Sequence, residues 1–100
     1  MSGKERSTNI KIGSKEYEII YQHPVEVDGE ETWGLCDYAQ CKILIDTEIC
    51  EQMQFNSLIH ELVHAVLYEM GNKLHTNEPF TESLSNMLAQ VIIDNRDSYE

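Results

Sequence analysis

One hundred residues with a net charge of −11, 41% hydrophobic and 25% charged, make one globular domain of ordinary composition. Only seven lysines and arginines are present, which excludes nucleic-acid binding through a basic stripe. No apolar run approaches the roughly 18 residues that read as a membrane span, and Met1–Thr8 has no apolar signal core, so a cytoplasmic protein that touches neither nucleic acid nor membrane is expected.

Residues 1–8 are polar and expected to form a disordered tail, with one domain over 9–97. Asn9 to Ile12 alternates as a strand and Gly13-Ser14 marks a turn. Tyr17 to Tyr21 reads as a second strand, ended by Pro24. Asp28-Gly29-Glu30-Glu31 is a polar turn. A third strand follows around Trp33, from Thr32 to Cys36, and a fourth at Lys42–Asp46; their short connection suggests a hairpin. The three cysteines, Cys36, Cys41 and Cys50, are odd in number and read as reduced thiols. Cys36 and Cys41 have no second pair of matching spacing to complete a zinc site.

From about Glu51 to Met70 the periodicity is helical. Phe55, Leu58, Ile59, Leu62, Val63, Val66, Leu67 and Met70 recur at i, i+3, i+4, i+7 and predict one buried stripe. Gly71 suits the left-handed position after a helix end. Asn77 and Pro79 open a last helix that runs to about Asn95, with a stripe of Phe80, Leu84, Met87, Leu88, Val91 and Ile92. The fold class is α+β: a twisted, antiparallel-containing sheet of three or four strands packed on a site helix and a C-terminal helix.

The first helix carries His60-Glu61-Leu62-Val63-His64. Residues four apart on a helix lie one above the other, so the two imidazoles can face one metal ion. Glu61 projects about 100° round the axis, displaced from the ligand line but placed to take a proton from a water activated by the metal. On a wheel with Leu58 at zero the stripe centres near about 80° and the histidines near about 200–240°. They lie away from the main core face and need a second wall, which is where a metal cleft is expected. Zinc (Zn2+) is the ion this donor pattern suits.

A catalytic zinc needs a third protein ligand and an open position. The candidates are His23, His75, Glu78 and Glu82, with Glu69, Asp46 and the cysteines as outsiders. Leu67 and Met70 stand where the metzincin signature requires Gly and His, which excludes that class. Glu82 is preferred. It lies on the face of the last helix opposite the apolar stripe, beside Ser85, Asn86 and Ala89, small enough to let two helices approach. Glu78 is the runner-up, at the fraying start of that helix.

Leu58 to Gly71 followed by Phe80-Thr81-Glu82-Ser83-Leu84-Ser85-Asn86 resembles the gluzincin pattern, and more narrowly the compact ImmA/IrrE-like metallopeptidases, small members of which phage genomes often carry. The resemblance implies a zincin-like fold, zinc held by His60, His64 and Glu82, and Glu61 as general base for hydrolysis of a peptide bond in a protein or peptide substrate. It also implies that Asn86 accepts from the distal N–H of His60 and that Lys42–Asp46 forms the sheet edge beside the cleft. Tyr68, Tyr38 or His75 is expected to assist the carbonyl oxygen, with Tyr68 leading because it lies one turn beyond His64 on the same face. The alternative is a catalytically silent, zinc-stabilised protein-interaction module.

Overall fold

A computed structural model describes residues 6–99. Strands β1 (Arg6–Ile12) and β2 (Lys15–Gln22) form an antiparallel hairpin that turns at Gly13, whose φ of +63° is the left-handed region glycine tolerates. Residues 1–5 of the expected tail lie outside the described residues. Arg6, Ser7 and Thr8 do not belong to a tail: they pair with Tyr21, Ile20 and Ile19, and the Arg6 guanidinium lies 4.1 Å from the centre of the Tyr21 ring.

Strands β3 (Val25–Val27) and β4 (Glu30–Thr32) make a separate ribbon around Asp28-Gly29, both with positive φ, the Asp-Gly turn that right-twisted strands favour. Strand β5 (Gly34–Asp37) and strand β6 (Lys42–Asp46) form the expected hairpin, and β6 also pairs parallel with β2. The main sheet therefore has the mixed order β1-β2-β6-β5. Lys42–Asp46 is thus interior, and β5 takes the edge. The parallel β2–β6 pairing, a long-range contact invisible to local patterning, decides this.

Helix α1 (Glu51–Glu69) is followed by a 3-10 turn over Lys73–Thr76, helix α2 (Glu78–Asp94) and the short helix α3 (Arg96–Tyr99). At the end of α1, Gly71 (φ +72°) donates to the Tyr68 carbonyl and Asn72 donates to the Leu67 carbonyl, each at 2.9 Å, the paired Schellman bonds that stop a helix. The Asn77 side chain accepts from Phe80 N at 2.9 Å and caps α2. Among the described residues no helix is long and apolar enough to cross a membrane.

Helix α1 is the middle layer. One side packs Ala65 on Ile12, Tyr17, Ile19, Ile43 and Ile45 of the sheet; the other packs Ile59, Val63 and Leu67 on Ala89 of α2. Burial on two sides corrects the expected single stripe: Val66 and Met70 are exposed, Met70 by 68%. Helix α2 departs further. Its buried residues are Thr81, Ser85 and Ala89, whereas Phe80, Met87, Leu88 and Val91 face outward. The small face wins because it lets the α2 backbone approach α1 closely.

His23 anchors the end of β2 to β6, its Nδ1 2.8 Å from Asp46 Oδ1. That hydrogen bond raises the imidazole above its ordinary 6.5, with burial opposing. A folded-state value above the unfolded one means the pair stabilises fully below about 6.5 and its contribution is lost as pH rises through the raised value. The stability difference between wild type and His23→Ala, followed by urea unfolding, is expected to be largest near pH 6 and to shrink by pH 9. A difference that does not change with pH contradicts the assignment.

Candidate metal centre

His60 and His64 stand one turn apart on α1, with ring centroids 4.9 Å apart. Opposite them the first turn of α2, held by the Asn77 cap, presents Glu78. One Glu78 oxygen lies 3.2 Å from His60 Nε2 and the other 3.1 Å from His64 Nε2. Ligand atoms about 2.0–2.1 Å from a tetrahedral zinc stand about 3.3 Å from one another. Each of the two contacts is near that spacing, with a different Glu78 oxygen on each imidazole. One ligand atom from each of His60, His64 and Glu78 lies within 4.8 Å of the others, close enough to hold a metal ion.

The far ring nitrogens are engaged as ligand histidines require. His64 Nδ1 donates to the His75 backbone carbonyl at 2.6 Å, which leaves Nε2 with its lone pair toward the cluster. His60 Nδ1 lies 3.4 Å from both Ser85 Oγ and Glu82 Oε1. Glu82, the expected third ligand, is therefore brought to the opposite nitrogen of His60, and Glu78 occupies the place between the two Nε2 atoms. The chain enters α2 at its N-terminal end from a 3-10 turn packed on α1, so the first turn of α2, not its second, overhangs the histidines. Asn86 is corrected likewise. Its amide donates to Glu82 Oε2 at 3.4 Å, so it reaches His60 through Glu82 and not directly.

Glu61 points to the sheet side. It is 8% exposed and packs against Gly34 at the start of β5, where a Cβ would stand 3.0 Å from Oε2 and 3.2 Å from Cγ. Burial, and then the Glu78 carboxylate, push its carboxyl up to about 8. A dication beside it would favour the ionised form and bring that value down. Gly34→Ala is expected to displace the Glu61 side chain and to cost about 1–2 kcal/mol by overpacking, read as a lower urea midpoint; an unchanged midpoint contradicts the close approach.

Two lobes of about 470 and 430 Å³ meet over Thr32, Gly34, His60, Glu61 and Glu78, and the edge strand β5 runs beside them. The second lobe includes Cys36, Tyr38 and His75. Burial, and then Glu61, push the Cys36 thiol up to about 12, which makes it a poor ligand or nucleophile. Of the three candidate electrophiles, Tyr38 and His75 line the lobe and Tyr68 does not. The Tyr68 ring stacks on Tyr38 at 4.3 Å. Tyr38 donates its hydroxyl to the His75 carbonyl at 3.1 Å, and burial, as the main cause, pushes that phenol up to about 12, so it stays a donor.

The remaining sequence candidates lie apart from the cluster. His23 and Asp46 pair with each other, and Glu69 accepts from the buried Tyr17 hydroxyl at 2.7 Å. Gly34, Ser85 and the His75 carbonyl were not singled out for these roles; a backbone acceptor and a glycine contact carry no local sequence signal. No protein family matches the chain, and neither does any curated protein or solved structure.

Proposed function

We propose that this chain is a zinc-dependent metallopeptidase of the gluzincin kind, similar to the compact ImmA/IrrE-like enzymes and with a zincin-like arrangement, in which His60, His64 and Glu78 are the ligands. The observation that carries the reading is the convergence of three ligand atoms beside a buried carboxylate that is not one of them. Zinc bound there supplies Lewis-acid polarisation and lowers the pKa of its water toward about 7. Glu61 takes a proton from the attacking water and passes it to the leaving nitrogen. The His75 carbonyl and Glu82 hold the two imidazoles in the tautomer that leaves Nε2 free. Tyr38 lines the cleft, and its hydroxyl assists the carbonyl oxygen once it turns from the His75 carbonyl. The edge of β5 supports binding of an extended peptide by strand addition.

A second reading, a catalytically silent zinc-stabilised interaction module, draws on the outward apolar face of α2. Zinc-loaded chain incubated with a peptide library separates the two. Cleavage that Glu61→Gln abolishes supports the peptidase; zinc retained with no cleavage of any peptide supports the module.

A further inference from the structure

We propose that the lobe beneath Trp33 is a subsite for a cationic side chain, lysine or arginine, of a peptide lying in the cleft; this rests on reading the cleft as a peptide site. The lobe holds about 470 Å³, enough for one long side chain. Trp33 lines it and is 51% exposed, which leaves its indole available to a ligand in the lobe. Its backbone is held between β4 and β5, where the Trp33 carbonyl accepts from Asp46 N at 2.9 Å. Met53 forms a second apolar wall. An aliphatic stem fits between such walls while its charged head stays polar.

The head group is chosen by charge. Glu31, Glu61, Glu78 and Glu82 line the lobe, and no lysine or arginine does. Glu78 and Glu82 are occupied with His60 and His64. Glu61 forms the shared floor of both lobes, more than nine-tenths buried, with no hydrogen bond among the described residues to offset that burial. Glu31 is the acid left for a ligand. It stands directly opposite Glu26 in the β3–β4 ribbon, a like-charge pair that destabilises the ribbon until a cation sits beside it. A guanidinium or ammonium there meets the Trp33 face and the Glu31 carboxylate together. The net charge of −11 draws basic chains to the protein and repels acidic ones.

The test is calorimetric titration of the zinc-loaded chain with blocked peptides acetyl-Gly-Ala-Xaa-Ala-Gly-amide, in which Xaa is arginine, citrulline or norleucine, with peptide integrity followed by mass spectrometry. Arginine is expected to bind about tenfold tighter than its neutral isostere citrulline. Glu31→Gln should remove most of that preference, and Trp33→Leu should weaken all three peptides; both positions are exposed enough to be replaced without unfolding. Raised salt should narrow the gap. Equal binding of arginine and citrulline, a preference for norleucine, or an arginine preference that survives both substitutions overturns the subsite. Arginine preference without cleavage upholds the subsite and leaves the peptidase reading to the library experiment; cleavage with no preference upholds the peptidase reading and removes the subsite.

Discussion

Replacing Glu78 with alanine is expected to weaken zinc binding by about 10²–10³-fold. An affinity of about 10–16 kcal/mol for a zinc held by four protein ligands assigns about 2.5–4 kcal/mol to each ligand, and about 1.4 kcal/mol is one factor of ten. The carboxylate lies 3.2 and 3.1 Å from the two Nε2 atoms, and no other acid is placed between them among the described residues. Glu82→Ala is expected to cost less, on the order of 10-fold, because Glu82 only holds the far nitrogen of His60 and Ser85 Oγ is at the same distance to replace it. Competition titration against a chromophoric chelator measures both. If Glu82→Ala proves the more damaging, Glu82 swings in as ligand when zinc binds and Glu78 is an exposed carboxylate.

Glu61→Gln is the second large effect. The substitution keeps shape and removes the base, so zinc affinity should change by no more than about threefold while peptide hydrolysis falls about 10²–10⁴-fold, the contribution of a placed proton acceptor. Near pH 7 the metal-free carboxyl is largely protonated, because burial holds it up to about 8. Removing the ionised form should therefore disturb the zinc-free protein little, and equal unfolding midpoints of wild type and Glu61→Gln near pH 6 are expected. Turnover that survives the substitution removes Glu61 from the chemistry and hands the base role to another group.

How far the sequence could be read depends on the range of the interaction. The spacing of His60 and His64, the Gly71 stop and the Asn77 cap are each set within one or two helical turns, and the structure has all three. The strand pairings that need distant partners were not legible: β6 between β2 and β5 follows from a parallel pairing across some twenty residues of chain. Helix phase was legible only in part. A wheel finds the apolar arc of α2, of which Leu84 and Ile92 do pack on α1, but not that the small arc, Thr81-Ser85-Ala89, is the buried one. Choosing between Glu78 and Glu82 depended on that packing depth and on how the 3-10 turn delivers the helix. Glu78 looked weak because it starts the helix, and that same position lets it overhang the histidines.

The most direct measurement is the crystal structure of the zinc-loaded chain with anomalous data collected at the zinc edge. One zinc peak bonded to His60 Nε2, His64 Nε2 and a Glu78 oxygen, with Glu61 beside it and unbonded, is the expected result. A peak elsewhere, or a fully soaked crystal with no peak between those three side chains, contradicts the assignment of this cleft as a metal centre.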